Sequence, residues 1–396
     1  MTKIIALLLA VAAAVALWFY PATSYADASK NILNPYAAAV VEQDGQLRAR
    51  LSDANRQLYD VVKQGLLAHD DEITVRRIGY SEDDIWNVVY AINYDTPQMF
   101  WVDFRTLSFR DTSDGFAVIP TYFYTAEETA AKQTAYDDAV NTALRALDAK
   151  NYTDPIDKFL FLHDYLIENV RYDDTQAAGS IHTACGALVD KTAVCDGYAR
   201  AFHDLCLRAG LECYYVEGTA NTDGTDVGHA WNIVGADGTY YCVDVTWDDG
   251  DYEYGSDAPD YPVVSHSYFL VGADMLAATH KQDDRFEMPA GVDYGYFEKA
   301  GLSAASFSSI KNAVINALFV NITDKGRYYV EFEITDPEEF KKVVGSYDYA
   351  VDDLISAVNK KLDGTGKPLI DEYGKVSFSY QDGNGAILAM FSPEKN

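Results

Sequence analysis

Three residue types that together can perform nucleophilic catalysis occur in order in the middle of the chain. They are Cys195, within the run 194–199, His229, within 228–232, and Asp244, within 243–249. A thiol nucleophile needs a base that takes its proton and a third group that orients the base. The three residues therefore predict a cysteine-dependent acyl-transfer site, provided that the fold brings them together.

A helix is predicted from Cys195 to Ala209, because apolar residues recur on one face and Gly210 is suited to end it. Cys195 then lies in the first turn, where free backbone N–H groups and the helix dipole favour the thiolate. Gly197 weakens that turn, which indicates a close approach of substrate or of a neighbouring strand. The alternative is that Cys195 is one small buried residue among five cysteines.

Two strands, 230–234 and 239–246, are predicted to form a hairpin around the Asp237-Gly238 pair. A four-residue loop would place His229 directly opposite Asp244, whereas a two-residue loop would make the two residues diagonal neighbours. Side chains alternate along a strand, so the ring and the carboxylate share one face in either register. We expect Asp244 to fix the tautomer of His229 and to support its protonated form.

Several segments taken together resemble the transglutaminase-like domains of secreted bacterial proteins. The resemblance covers about residues 151–280 and rests on segments 159–165, 186–190, 195–199, 228–232, 244–249 and 268–270, with His280. It implies an α+β fold with a papain-like core, in which a nucleophile helix packs on an antiparallel sheet. It further implies that Cys195 is the nucleophile, His229 the base and Asp244 the orienting acid. The chain departs from many of these relatives at Cys185, where they have a tyrosine.

The implied chemistry is attack of the Cys195 thiolate on an amide carbonyl of a protein or peptide, which gives a thioester. Water would complete hydrolysis and a lysine amine would complete a crosslink, and the residues do not choose between them. The backbone N–H of Cys195 is the natural first oxyanion donor. Trp231 and Trp247 are candidates for the second donor or for a wall of the site, and plain packing within the sheet is the competing interpretation.

Composition limits the partners of the chain. Its 396 residues carry 61 acidic and 31 basic side chains, a formal net charge of −30, and 48% of them are hydrophobic. The chain is therefore globular, and its charge repels phosphate backbones, so we expect no nucleic-acid partner. A non-catalytic cell-surface or cell-wall binding module on the same fold is the alternative to an enzyme.

The N-terminus predicts export. Lys3 precedes an apolar run from Ile4 to Phe19, and small residues precede a cleavage point before Asp27. We expect residues 1–26 to be a signal peptide and the protein to be secreted or held at the cell surface. A membrane anchor through this segment is the alternative if it stays uncleaved.

Cysteine spacing and acidic loops give little reason to expect a metal or another cofactor. With Cys195 reserved for chemistry, three pairings remain open among Cys185, Cys206, Cys213 and Cys242. Zinc is not expected, since the chain has no pair of cysteines separated by two residues. The acidic stretch 249–260 has oxygen side chains at the intervals of a calcium loop, but a tyrosine occupies the position that needs glycine, so we favour a solvated loop.

Three regions follow the predicted signal peptide: an α+β lead domain (27–150), the transglutaminase-like domain (151–290) and a small α+β module (300–396). In the lead domain we predict helices at 51–67 and 125–147, strands at 72–77, 100–109 and 116–124, and a helix beginning at Ser81. Asp154 and Pro155 are expected to begin the next helix, on which His163 is interpreted as a core histidine. His203 is expected to be solvated on the polar side of the Cys195 helix.

Overall fold

Capping side chains determine where the first helices begin. The structure is a computed structural model that describes residues 45–394 apart from 77–78, 174, 176–178, 223, 251–258, 346, 375 and 381–384. Ser52, Ser81 and Thr125 each accept a hydrogen bond from the backbone N–H three residues later. The elements that they organise are α1 (Asp53–Ala68), β1 (Ile73–Arg76), α2 (Glu82–Asp95), β2 (Ser108–Asp111), β3 (Gly115–Ile119) and α3 (Ala126–Asp148).

An antiparallel sheet of order β1-β3-β2 accompanies these helices. The strand predicted over 100–109 is wrong for most of its length, because only Ser108–Asp111 is extended as β2. Phe100 and Trp101 are buried from a series of turns, and the Trp101 indole donates to the carbonyl of Leu66. The apolar residues of this segment are buried in the core from turns. Their alternation in sequence is therefore not evidence of a strand here.

The middle of the chain begins with a helix whose start was predicted correctly. Asp154 caps it, with Pro155 in its first turn. A five-stranded sheet of order β10-β6-β7-β8-β9 follows, with antiparallel pairing throughout. The elements are α4 (Pro155–Asn169), β4 (Arg171–Tyr172), β5 (Thr192–Ala193), α5 (Cys195–Arg208), β6 (Glu212–Thr222), β7 (Thr225–Ala236), β8 (Thr239–Val243), β9 (Phe269–Val271), α6 (Ala273–Leu276) and β10 (His280–Gln282).

The last region forms its own sheet and core. Its elements are α7 (Tyr296–Lys299), β11 (Ser303–Ala304), α8 (Phe307–Val320), β12 (Tyr329–Ile334), α9 (Pro337–Gly345), α10 (Tyr347–Leu362), β13 (Val376–Tyr380) and β14 (Ala386–Phe391). The sheet has the order β11-β12-β14-β13, with β11 parallel to β12. Helix α8 was not predicted from the sequence. The run 382–385, whose Asp-Gly-Asn-Gly sequence predicts a turn between β13 and β14, lies outside the described residues except for Gly385.

The three regions pack into a single unit that contains all the described residues. Val263 contacts Tyr329 and Leu388, so the last sheet rests against the segment that follows β8. The division into domains at about 150 and 290–300 therefore stays a prediction. Among the described helices, none has both the length and the apolar composition that a bilayer crossing requires. The predicted signal peptide lies outside the described residues.

Candidate active site

Cys195 is the first residue of α5, as the sequence predicted. Helix α5 packs on the sheet through Asn232 of β7, whose buried side-chain amide donates to Ala199 O (3.0 Å) and Tyr214 O (3.2 Å). One side chain thus joins the first turns of the helix to two strands. Because these bonds are buried, they hold the start of α5 in a fixed position against β7.

Gly197 allows a close approach at the same helix end. A Cβ atom at this position would lie 2.5 Å from Ile181 O and 2.7 Å from the Cβ of Ala193. The close neighbours of Gly197 are therefore the turn Ser180–His182 and strand β5, which agrees with the predicted approach of a neighbouring strand. The glycine is required because its neighbours pack directly on the first turn of α5.

The β7–β8 hairpin places the histidine and the acid. Asp237 and Gly238 have φ angles of 51° and 78° and form a two-residue turn, with Ala236 paired to Thr239. The register with a four-residue loop is wrong, and the diagonal register is confirmed. Strands β6 and β7 also continue through most of 221–228, although the Gly, Asp and Thr residues of this segment are typical of a loop.

His229 and Asp244 are in direct contact. His229 Nε2 lies 2.6 Å from Asp244 Oδ2, and the carboxylate is fully buried. Its other oxygen accepts the backbone N–H groups of Thr246 (3.0 Å) and Trp247 (3.2 Å). Burial opposes ionisation of Asp244, but the charge and hydrogen bonds of His229 and His280 outweigh it and lower the pKa of the carboxyl.

The ring of His229 is also close enough to the Cys195 thiol for each group to shift the pKa of the other. Since Nε2 faces Asp244, Nδ1 is the nitrogen left for the sulfur. Burial disfavours the imidazolium, but the Asp244 carboxylate prevails and raises the pKa of His229 to about 10. The structure thus brings together all three residues that the sequence singled out.

The pKa of the Cys195 thiol is raised, whereas the helix N-terminus alone would lower it. Burial raises the pKa of the thiol above its ordinary value, although hydrogen bonds from His229 and from the backbone of Ala230 lower it. The nearby Asp196 carboxylate raises it further, and the Cys195 Sγ lies 3.7 Å from Asp196 Oδ1. Desolvation therefore opposes the thiolate that the helix N-terminus is expected to favour, and the thiolate at Cys195 stays a prediction.

A second histidine binds the same acid. Nε2 of His280, at the start of β10, lies 3.1 Å from Asp244 Oδ2, and its Nδ1 lies 2.9 Å from the Thr279 hydroxyl. The sequence marked His280 only as part of the resemblance. Its contact with Asp244 depends on β10 pairing with the far edge of β6, which local patterns do not reveal.

The two tryptophans flank the histidines. Trp231 is almost fully buried, and its ring lies 6.2 Å from that of His229; Trp247 is partly exposed, with its ring 5.6 Å from His229 and 4.5 Å from His280. Both pack in one apolar cluster with Tyr268. The Trp231 indole N–H is buried without a partner among the described residues. These contacts make the tryptophans walls of the histidine site, and the oxyanion role of either one stays a prediction.

Sequence reasoning missed a second pair beside the thiol. His182 Nδ1 lies 3.0 Å from Asp196 Oδ2, while the other oxygen of that carboxylate faces Cys195. Burial works against the charge of Asp196, but His182 and two arginines lower the pKa of the carboxyl. The position of Asp196 next to Cys195 in sequence was the available signal.

Two further histidines were assigned from helix faces, with different outcomes. His163 is a buried core histidine, as predicted, bonded to Asp164 (3.0 Å) and Asp248 (3.1 Å). The solvated position predicted for His203 is wrong, since its side chain is buried and burial lowers the pKa of the ring to about 3. The lead region covers the polar face of α5, as the 2.6 Å bond from Tyr136 to Asp204 illustrates.

All five cysteines are free, so no pairing among Cys185, Cys206, Cys213 and Cys242 is formed. Burial and the neighbouring Cys213 raise the pKa of the Cys206 thiol well above its ordinary value. Two groups of described residues have ligand-type atoms close enough to hold a metal: His163 with Asp164 and His266, and His229 with Asp244 and His280. In both groups the histidine nitrogens already bond the carboxylates. Most of the acidic stretch considered for calcium, 251–258, lies outside the described residues.

A cysteine at the tip of a helix, packed on an antiparallel sheet that carries histidine and aspartate, defines a papain-like core of the transglutaminase type. Residues 142–245 match the family model described as the transglutaminase-like superfamily. The chain therefore carries a transglutaminase-like domain, and the predicted α+β fold class is confirmed.

Similarity to individual proteins is confined to part of the chain. It is 39% identical to human and 30% identical to mouse Kyphoscoliosis peptidase, each over 99 residues, which are 23% of this chain and 15% of the relative. The chain thus matches less than a sixth of the length of these curated relatives. A solved structure described as a TGase is 19% identical and covers 35% of this chain and 43% of its own, with a TM-score of 0.24.

Proposed function

We propose that the protein is a thiol-dependent amide hydrolase or acyl transferase that acts on protein or peptide substrates. One observation carries the proposal: His229 lies between Asp244 and Cys195, bonded to the fully buried acid at 2.6 Å and close enough to the thiol for each to shift the pKa of the other. A buried acid that orients an imidazole toward a thiol is the arrangement that nucleophilic catalysis requires. The match of residues 142–245 to the transglutaminase-like superfamily supports the same class.

The proposed reaction has two stages. His229 Nδ1 takes the thiol proton as the Cys195 sulfur attacks the amide carbonyl, and the C–N bond breaks as Nδ1 passes that proton to the departing amine or ammonia. The product is a thioester on Cys195. In the second stage a nucleophile attacks the thioester, loses its proton to His229, and releases the thiol.

The second nucleophile decides the outcome. Water gives hydrolysis, whereas a lysine amine gives an isopeptide crosslink. We favour hydrolysis, and we assign the first oxyanion donor to the backbone N–H of Cys195 in the opening turn of α5. Crosslinking stays the second outcome of the same site.

Trapping of the acyl-enzyme tests the proposal. The protein is incubated with a mixture of casein-derived peptides, quenched in acid and weighed by intact-mass spectrometry, with ammonia release and incorporation of dansylcadaverine measured in parallel. We expect an acyl adduct on wild type and on Cys185→Ser, and none on Cys195→Ser. Peptide cleavage identifies hydrolysis, and dansylcadaverine incorporation identifies crosslinking.

A non-catalytic binding module is the competing function, and the raised pKa of the enclosed Cys195 thiol favours it. Under that function, wild type and Cys195→Ser would bind the same protein or cell-wall material, and fluorescent iodoacetamide would label both equally. No adduct, no cleavage and equal labelling would overturn the enzymatic proposal.

We also propose that the protein acts after export, on the basis of the sequence between Lys3 and Asp27. N-terminal sequencing of the protein recovered from culture medium and from cell envelopes tests this. A mature N-terminus at Asp27 is expected, and full-length protein confined to the cell interior would contradict it.

A further inference from the structure

A cleft of about 320 Å³ adjoins the thiol. Helix α2 and the turns of 97–105 form one wall, and the start of α5 with β6 forms the other. Cys195 itself does not line the cleft, but Asp196 does, and Asp196 Oδ1 lies 3.7 Å from the Cys195 sulfur. The cleft therefore ends next to the reacting atom, and a group bound in it belongs to the substrate or lies beside it.

Aromatic rings form much of the cleft wall: Trp86, Tyr90, Phe100, Phe104 and Phe123. The protein places its own cations on two of these rings. The guanidinium of Arg285 lies 3.8 Å from the Tyr90 ring centre, and that of Arg105 lies 5.8 Å from the Phe123 ring centre. Ring faces attract cations, most strongly when water is excluded. The wall is thus suited to the apolar stem and positive end of an amine side chain.

Three carboxylates and two arginines line the cleft. Arg105 pairs with Asp103 at 3.0 Å, and Arg200 pairs with Glu217 at 3.5 Å and bonds Asn93. The third carboxylate, Asp196, is bonded by His182. Both arginines also lower the pKa of Asp196, but each contacts a different acid, so Asp196 is the lining carboxylate without an arginine in direct contact and can attract a positive group at the thiol end of the cleft.

We propose that this cleft is a subsite for a cationic side chain of the peptide substrate, of the lysine type, held between the aromatic wall and the Asp196 carboxylate. His182 is a positioning residue that orients Asp196. The inference rests on the proposed function only in taking Cys195 as the reacting atom. It assigns a substrate preference to the lead region, whose residues form one wall.

Methanethiosulfonate reagents of different charge test the subsite without any turnover. The Cys195 thiolate attacks the sulfenyl sulfur of the reagent and forms a mixed disulfide with it. The bond between the sulfenyl and sulfonyl sulfurs breaks, and methanesulfinate leaves. The rates for the 2-aminoethyl (cationic) and 2-sulfonatoethyl (anionic) reagents are each divided by that for the neutral methyl reagent, at 0.15 M NaCl. Cys195→Ser supplies the blank for the buried cysteines.

We expect the normalised rate of the cationic reagent to exceed that of the anionic one about tenfold in wild type, since a charged cleft concentrates the opposite charge. Asp196→Asn should reduce the preference to less than about twofold. Asp353→Asn removes an exposed carboxylate from the last region and should leave the preference for the cationic reagent unchanged. Division by the neutral rate cancels any change in the intrinsic reactivity of the thiol.

A protection measurement covers the case in which Asp196→Asn does not fold. Millimolar 1,5-diaminopentane should slow modification of wild type by the neutral reagent, pentan-1-ol should not, and Trp86→Leu should weaken the protection. Equal normalised rates, or equal effects of diamine and alcohol, overturn the subsite. A charge preference in a protein that forms no acyl adduct would uphold the subsite and reject the proposed function.

Discussion

His280 Nε2 lies 3.1 Å from Oδ2 of Asp244, the oxygen that also binds His229 at 2.6 Å. One carboxylate oxygen thus receives hydrogen bonds from two rings, and two backbone N–H groups bind the other oxygen. Asp244 follows the last residue of β8, and its backbone N–H donates to Tyr268 O at 3.1 Å, while the four side-chain bonds fix the direction of the carboxylate. His280 is therefore a positioning residue for the base.

His280→Leu should reduce the rate of Cys195 acylation roughly 10-fold to 100-fold, because a small misplacement of Asp244 misdirects the His229 ring. His280→Gln keeps an N–H donor and should recover part of the loss. Steady-state kinetics with parallel thermal unfolding checks this. A residue that only fills space would lower the unfolding midpoint in both variants and leave the two rates equal.

The alkylation of Cys195 should depend on pH in the manner of a raised thiol pKa. The rate with iodoacetamide should be low at pH 6 and rise through pH 9, since the thiolate forms only as pH approaches the raised pKa. Asp196→Asn removes a negative charge that disfavours the thiolate, so its profile should shift to lower pH, with about tenfold faster alkylation at pH 7.

Stopped alkylation followed by peptide mapping gives these rates, and Asp353→Asn is the matched charge control. A profile that is flat from pH 6 to pH 9 would show that the thiolate is already formed at neutral pH. It would favour the helix-end effect expected from the sequence over the desolvation seen in the structure.

Gly197→Ala should destabilise the protein by about 2 kcal/mol, because the new methyl overlaps a carbonyl and a side chain that are both packed. Gly228→Ala is the control, since nothing lies within 4 Å of a Cβ at that position. Urea unfolding compares the two variants. Equal stabilities would mean that the first turn of α5 can move away from the turn before β5.

Glu331→Gln should uncouple the last sheet from the site region. Glu331 of β12 lies 2.7 Å from His266 Nδ1, and His266 Nε2 lies 3.0 Å from Asp164. Burial disfavours the charged ring, but Tyr296, Glu331 and Asp164 raise the pKa of His266 well above its ordinary value. The charged His266 ring therefore stabilises the fold fully below pH 6.5, and this stabilisation is lost as the pH rises through the raised pKa of His266.

Glu331→Gln should lower the free energy of unfolding by about 3 kcal/mol at pH 6 and by less at pH 10. Glu338→Gln breaks an exposed pair with Lys341 and should change stability by less than about 0.5 kcal/mol at either pH. Urea midpoints at the two pH values provide the comparison. A loss independent of pH would exclude charge on His266 as its source.

Local sequence patterns were sufficient for several parts of the site. The first turn of α5 follows from its apolar spacing, and the turn at Asp237-Gly238 follows from residues that accept positive φ. Alternation along β7 placed His229 on the same face as Asp244 whichever register formed. These features depend on residues close in sequence, so the chain by itself determined them.

Other features were decided by segments far apart in sequence. The thiol pKa depends on how completely neighbouring segments enclose Cys195, and the burial of His203 depends on the lead region covering α5. The contact of His280 with Asp244 and the cleft that ends at Asp196 require β10, which follows the site in sequence, and α2, which precedes it, to pack beside it. Desolvation and long-range contacts are properties of the assembled fold, so only the tertiary structure decided them.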